Sequence, residues 1–140
     1  MFNMANDRYE RGIEVVKEFT VPEPDNPTGH MDIGEGFSDI APDLKKYVVE
    51  FAFGDIYARP GLDKKQKVIS TISALVAQGV PQIEMHVKTG LAVGLKPEEI
   101  VGCIIHLIPY TGFPRVLNAL KSAQRVFDER GIKVEPPEVY

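Results

Sequence analysis

Apolar residues recur along this chain at intervals of three and four, the spacing that gathers side chains on one side of an α-helix. Over about residues 6–19, Tyr9, Ile13, Val16 and Phe19 share a side, with Asp7 or Asn6 placed to cap the start. Leu44, Tyr47, Val48 and Phe51 repeat the pattern behind Pro42, whose fixed φ suits a first helical residue, and this element should end near Gly54. The strongest signal is Val68, Ile69, Ile72, Leu75 and Val76, which follow an Asp63/Gln66 capping box and stop at Gly79. Pro81 opens a helix carrying Ile83, His86, Val87 and Leu91, and Gly94 closes it. Pro97 opens another, with Glu98 and Glu99 suited to the positive pole of its first turn. After Gly112, Val116, Leu117, Leu120, Ala123 and Phe127 trace a last helix to Gly131.

The connections read as turns. Val21 to Gly29 contains three prolines, residues 31–40 have room for a turn or two of helix, and Arg59-Pro60-Gly61 is a turn. No run alternates with period two, so the fold class is all-α, built from antiparallel helix hairpins with short connections. We expect a single domain over residues 1–140, with an N-terminal helix and loop over 1–40, core helices over 41–130 and an exposed tail over 131–140. The apolar positions outnumber what one small core needs, which predicts a homo-oligomer.

Composition narrows the function classes. A net charge of -4 with no basic stripe argues against a nucleic-acid partner. The longest apolar stretch, Val101 to Tyr110, is interrupted by His106 and Pro109 and falls short of the roughly 18 residues that suggest a membrane span. The start of the chain lacks the apolar centre of a signal peptide, so the expected location is the cytoplasm. One cysteine, Cys103, rules out a disulfide within the chain. Cys103 and His106 stand three apart without further ligands at matching spacing, so no metal and no cofactor is assigned. Glu84 and Lys88 are spaced as an ordinary surface pair, and His30 in its Gly-containing loop reads as inert.

Several strings occur together in a particular order: Phe51-Ala52-Phe53-Gly54-Asp55-Ile56-Tyr57, Arg59-Pro60-Gly61-Leu62, His86 with Gly94, Glu98-Glu99-Ile100, and Tyr110-Thr111-Gly112-Phe113-Pro114 with Asn118-Ala119. In this order the chain resembles the carboxymuconolactone decarboxylase family, over roughly Tyr47 to Phe127 and again around Arg8 to Gly12. The resemblance implies an AhpD-like helical fold, assembly as trimers or hexamers, and one of two activities. One is decarboxylation of 4-carboxymuconolactone in the breakdown of aromatic compounds. The other is thiol redox chemistry linked to peroxide, which uses a Cys-x-x-Cys pair ahead of the histidine. Here those positions hold Gly79 and Gln82, and the accompanying glutamate position holds Lys67, so the redox route lacks its thiols.

Decarboxylation needs an electron sink and a proton for the carbon that carbon dioxide leaves. His86 is the candidate acid/base and Lys67 the candidate that stabilises the anion. Arg59 and Arg8 are candidate carboxylate binders, and His106 and Tyr110, one turn apart, are candidates for a wall of the substrate pocket. The resemblance also has departures. Arginines common in the family are Lys65 and Lys67 here, which cannot grip a carboxylate with two parallel bonds, and an acidic position after Ile100 is Gly102. The leading expectation is a lyase acting on a small carboxylated, lactone-type molecule. A binding protein that kept the fold without the chemistry is the alternative, and an AhpD-like peroxidase accessory protein is the third reading.

Overall fold

The computed structural model describes residues 4–20, 36–81 and 83–138. The loop expected over 21–29, with His30, lies outside them, as do Gln82 and most of the segment expected to be helical over 31–40. Every described element is helical and none is a strand, as the periodicity predicts. The elements are α1 (Met4–Glu18), α2 (Leu44–Tyr47) running directly into a π-helix (Val48–Tyr57), α3 (Lys64–Ala77), α4 (Glu84–Ala92), α5 (Pro97–His106), the single turn α6 (Ile108–Thr111) and α7 (Phe113–Glu129). By compactness the chain divides into two units, Met1–Asp63 and Lys64–Tyr140. No helix among the described residues is long and apolar enough to cross a membrane.

In the first unit α1 packs against the π-helix. Val15 and Val16 of α1 and Phe19 just after it are buried, as are Val49 and Phe53 opposite. Tyr57 meets Phe19 edge-on at 4.9 Å between ring centroids and stacks on Phe53 at 4.8 Å. The two backbones approach closely because glycines stand at the crossing. A Cβ on Gly12 would lie 2.0 Å from the Val49 carbonyl oxygen, and one on Gly54 would lie 2.7 Å from that of Arg8. The 3.6-residue pattern anticipated Leu44, Tyr47, Val48 and Phe51 as the inner side and an end near Gly54. Instead the helix continues to Tyr57, Tyr47 and Phe51 are more than half exposed, and Val49, Glu50, Phe53 and Gly54 face inward. The cause is the wider coil, in which the N–H of residue i bonds five residues back, as Ala58 still does to Phe53 at 3.0 Å. Widening the turn rotates the inward side away from the one a 3.6 period picks out. Pro42 precedes the first helical residue by two positions instead of occupying it.

The second unit is built on Val68, Ile72 and Val76 of α3, Val87 of α4, Ile100 and Ile104 of α5 and Val116, Ala123, Val126 and Phe127 of α7, all buried. Three of its helices end on the same backbone lock. After α3 the Val80 N–H reaches the Leu75 carbonyl at 3.0 Å; after α4 Leu95 reaches Gly90 at 2.9 Å; after α7 Ile132 reaches Phe127 at 2.8 Å. Each lock places glycine at positive φ, +72° at Gly79, +98° at Gly94 and +64° at Gly131, a conformation costly to an L-residue with a Cβ. All three stops are those the sequence predicted. At the start of α5 the Glu99 carboxylate accepts the Lys96 N–H at 3.3 Å. The tail after Gly131 is mostly exposed but is held to α5, because the Glu135 N–H donates to the Glu98 carboxylate at 3.0 Å.

Candidate functional site

His86 lies in the first half of α4, between the fully buried Val87 and the start of the helix at Glu84. Its ring is half-buried, and the loss of water around it lowers its pKa below the ordinary 6.5, since burial penalises the charged imidazolium. α4 packs against α3, which carries the half-buried Lys67 in its first turn. The sequence therefore places the candidate acid and the candidate cation on neighbouring helices of one unit. α4 itself starts three residues after Pro81, so the proline belongs to the turn ahead of the helix.

The remaining candidates each have surroundings of their own. In the first unit Arg8 grips Asp55 with two bonds, Nε to Oδ1 at 3.2 Å and Nη2 to Oδ2 at 2.6 Å, and sits 3.8 Å from Glu50. This is the fork geometry expected for a bound carboxylate, but an internal carboxylate fills it. Arg11 adds a bond to the Gly54 carbonyl at 2.8 Å and an ion pair to Asp55 at 3.4 Å. The Arg8 guanidinium holds the Asp55 carboxyl below its ordinary pKa. Arg59 is exposed and donates to the Pro60 carbonyl at 3.3 Å. His106 and Tyr110 do meet, with rings 5.8 Å apart, but both are exposed and Tyr110 keeps 76% of its surface open. Cys103 sits against the Ser73 hydroxyl at 3.3 Å. Among the described residues no three of His, Cys, Asp or Glu gather closely enough to hold a metal ion.

Two clefts of the second unit have other linings. A mostly apolar one of about 580 Å³ runs between α7 and the tail past Val101, Leu120, Phe127, Ile132 and Val134. A more polar one of about 440 Å³ lies between the α3–α4 turn and α7, where Arg115, Asn118, Lys121, Ser122 and Arg125 line one side. Sequence reasoning passed over these residues because it followed the apolar stripe of α7. The signal was there to read: positions 115, 118, 121 or 122, and 125 recur every three or four and so share the polar side of that helix. Glu84, which the sequence spacing pairs with Lys88, accepts a bond from Arg125 of α7 at 2.7 Å.

Comparison with known proteins bears on this arrangement. Residues 42–125 match the carboxymuconolactone decarboxylase family. The chain is 30% identical over 129 residues to 4-carboxymuconolactone decarboxylase of Acinetobacter baylyi, covering 91% of this chain and 92% of that one. It is 33% identical over 103 residues to a 15.0 kDa protein of the nqo9-nqo10 intergenic region of Paracoccus denitrificans, covering 71% and 76%. Nitrosuccinic acid decarboxylase of Metarhizium robertsii is 26% identical over 86 residues, 61% of this chain and 60% of that enzyme.

Proposed function

Because the chain belongs to the carboxymuconolactone decarboxylase family, we propose that it is a carboxy-lyase acting on a small carboxylated, lactone-type substrate. The observation that carries this reading is the end-to-end likeness to the Acinetobacter decarboxylase, with a desolvated histidine on the helix beside the one that carries Lys67. Two relatives that differ in their named acids share loss of carbon dioxide as their named reaction, which favours the reaction class over any single substrate.

In the proposed step the bond from ring carbon to carboxylate breaks, carbon dioxide leaves, and the electron pair moves toward the lactone carbonyl as an enolate. Lys67 offsets the negative charge that gathers on that oxygen. His86 then delivers a proton to carbon. Burial leaves His86 largely neutral in the free protein at pH 7. An approaching carboxylate raises its pKa again, so substrate and proton enter together. A lysine at position 67 supplies charge without the two-pronged grip of a guanidinium, which suits a role on a single oxygen better than on a carboxylate.

The test is turnover of 4-carboxymuconolactone followed by carbon dioxide release. His86→Gln should lower kcat by about a hundredfold or more with helical circular dichroism unchanged. Full activity in that variant would end the assignment of His86. A protein that binds lactones or aromatic acids but releases no carbon dioxide would favour the binding-only reading, which the departures at Lys65, Lys67 and Gly102 support.

A further inference from the structure

The cleft between the α3–α4 turn and α7 carries charge that the decarboxylase reading does not use. Arg115, Lys121 and Arg125 line it, and among the described residues no acidic one does. Glu84, bonded to Arg125, offsets one of the three positive charges, so the cleft keeps an excess of two on a chain whose net charge is -4. A row of cations on an exposed helix is ordinarily just a solvated face. Here two features set it apart: the surface is concave, and each guanidinium already has a partner in the protein that orients it. Arg115 donates to the Ala77 carbonyl at the end of α3, to which the Thr111 hydroxyl also donates at 3.3 Å, and Arg125 is held by Glu84. Each guanidinium has five N–H groups, so most of them remain for a ligand, and little side-chain freedom is left to lose on binding. The Lys121 ammonium has no ion pair or hydrogen bond among the described residues. Gly79 leaves room for this arrangement, since a Cβ there would lie 3.1 Å from the Arg115 Nε.

We propose that this cleft is a binding site for a compact oxyanion with two negative charges, a dicarboxylate or a phosphate, held by Arg115, Lys121 and Arg125 with the Asn118 amide as a neutral donor. It is distinct from the His86 position. Glu84 and His86 are two residues apart on α4 and point about 160° from one another, and Glu84 is the one turned to Arg125. The inference does not rest on the decarboxylase reading.

Isothermal titration calorimetry on the full chain at low salt tests it, with succinate, inorganic phosphate and, as a monoanion control, acetate. Saturable binding of succinate, phosphate or both, with acetate about tenfold weaker or worse, supports the site, and the stronger of the two identifies the ligand chemistry. The double variant Lys121→Gln/Arg125→Gln should weaken binding about tenfold or more, since each charged hydrogen bond counts for that much. Asn118→Asp, which places a carboxylate in the cleft at an exposed helical position, should weaken it comparably. Lys17→Gln, on α1, and His86→Gln should leave the affinity unchanged. Failure of both dianions to saturate the protein at about 10 mM, equal affinity in the double variant, or loss of binding in His86→Gln would each overturn the proposal.

Discussion

Burial makes His86 a weaker base than an ordinary imidazole, and the sign of that change fixes how the protein should answer to acid. Unfolded, the ring takes a proton near pH 6.5; folded, it resists until a lower pH. The contribution of this ring to stability is therefore constant above about pH 6.5 and falls as the pH drops below it, where the unfolded chain binds the extra proton. Asp55 behaves differently. Its pKa is held below 3.8 by Arg8, so its contribution is complete above that value and fades only as the pH falls further. Denaturant melts across pH should thus show two acid phases, and His86→Gln should remove only the upper one. In catalysis the same depression predicts that kcat/KM declines with rising pH from a midpoint below 6.5, and that the histidine titrates below 6.5 when followed by proton NMR in the free protein. A free-protein midpoint above 6.5 would contradict the burial. The place of His86 on a helix was legible from the apolar pattern around it. Arg8 was legible only as a cation, because sequence spacing does not reveal that Asp55, 47 residues away, fills its fork.

At the scale of elements, glycine positions separate close contact from open space. Gly12→Ala should destabilise the fold by about 1–3 kcal/mol, because its Cβ would meet the Val49 carbonyl and neither backbone can yield cheaply. Gly102→Ala, in the middle of α5 with nothing within 4 Å of the added carbon, should instead stabilise by up to about 1 kcal/mol through helix propensity. Urea titrations of the two variants check both signs. Helix existence and the glycine stops were readable because apolar period and left-handed backbone are local properties. The register of the Val48–Tyr57 segment was not, since its wide coil obeys a different period from the one that the pattern assumes.

Over the whole molecule, large apolar side chains remain at the surface, among them Ile40 at 82% and Phe113 at 62% exposed, together with Phe51, Tyr110 and Leu117. We propose that copies of the chain cover some of this area in a trimer or hexamer, and sedimentation velocity should then give a mass about three or six times 15.6 kDa. A monomer at micromolar concentration would count against it. The all-α class was plain from the sequence because the long helices α1, α3 and α7 carry an apolar repeat of three and four and no run alternates with period two. The polar cleft on α7 was not, because it arises only when that helix meets the α3–α4 turn. The recurring lock that ends three helices of the second unit has a further consequence, for chemistry beyond the genetic code. A positive φ is the natural habit of a mirror-image residue, so a synthetic chain with D-alanine in place of Gly131 would keep the bend, gain rigidity before folding, and resist unfolding by a further ~0.4–1 kcal/mol.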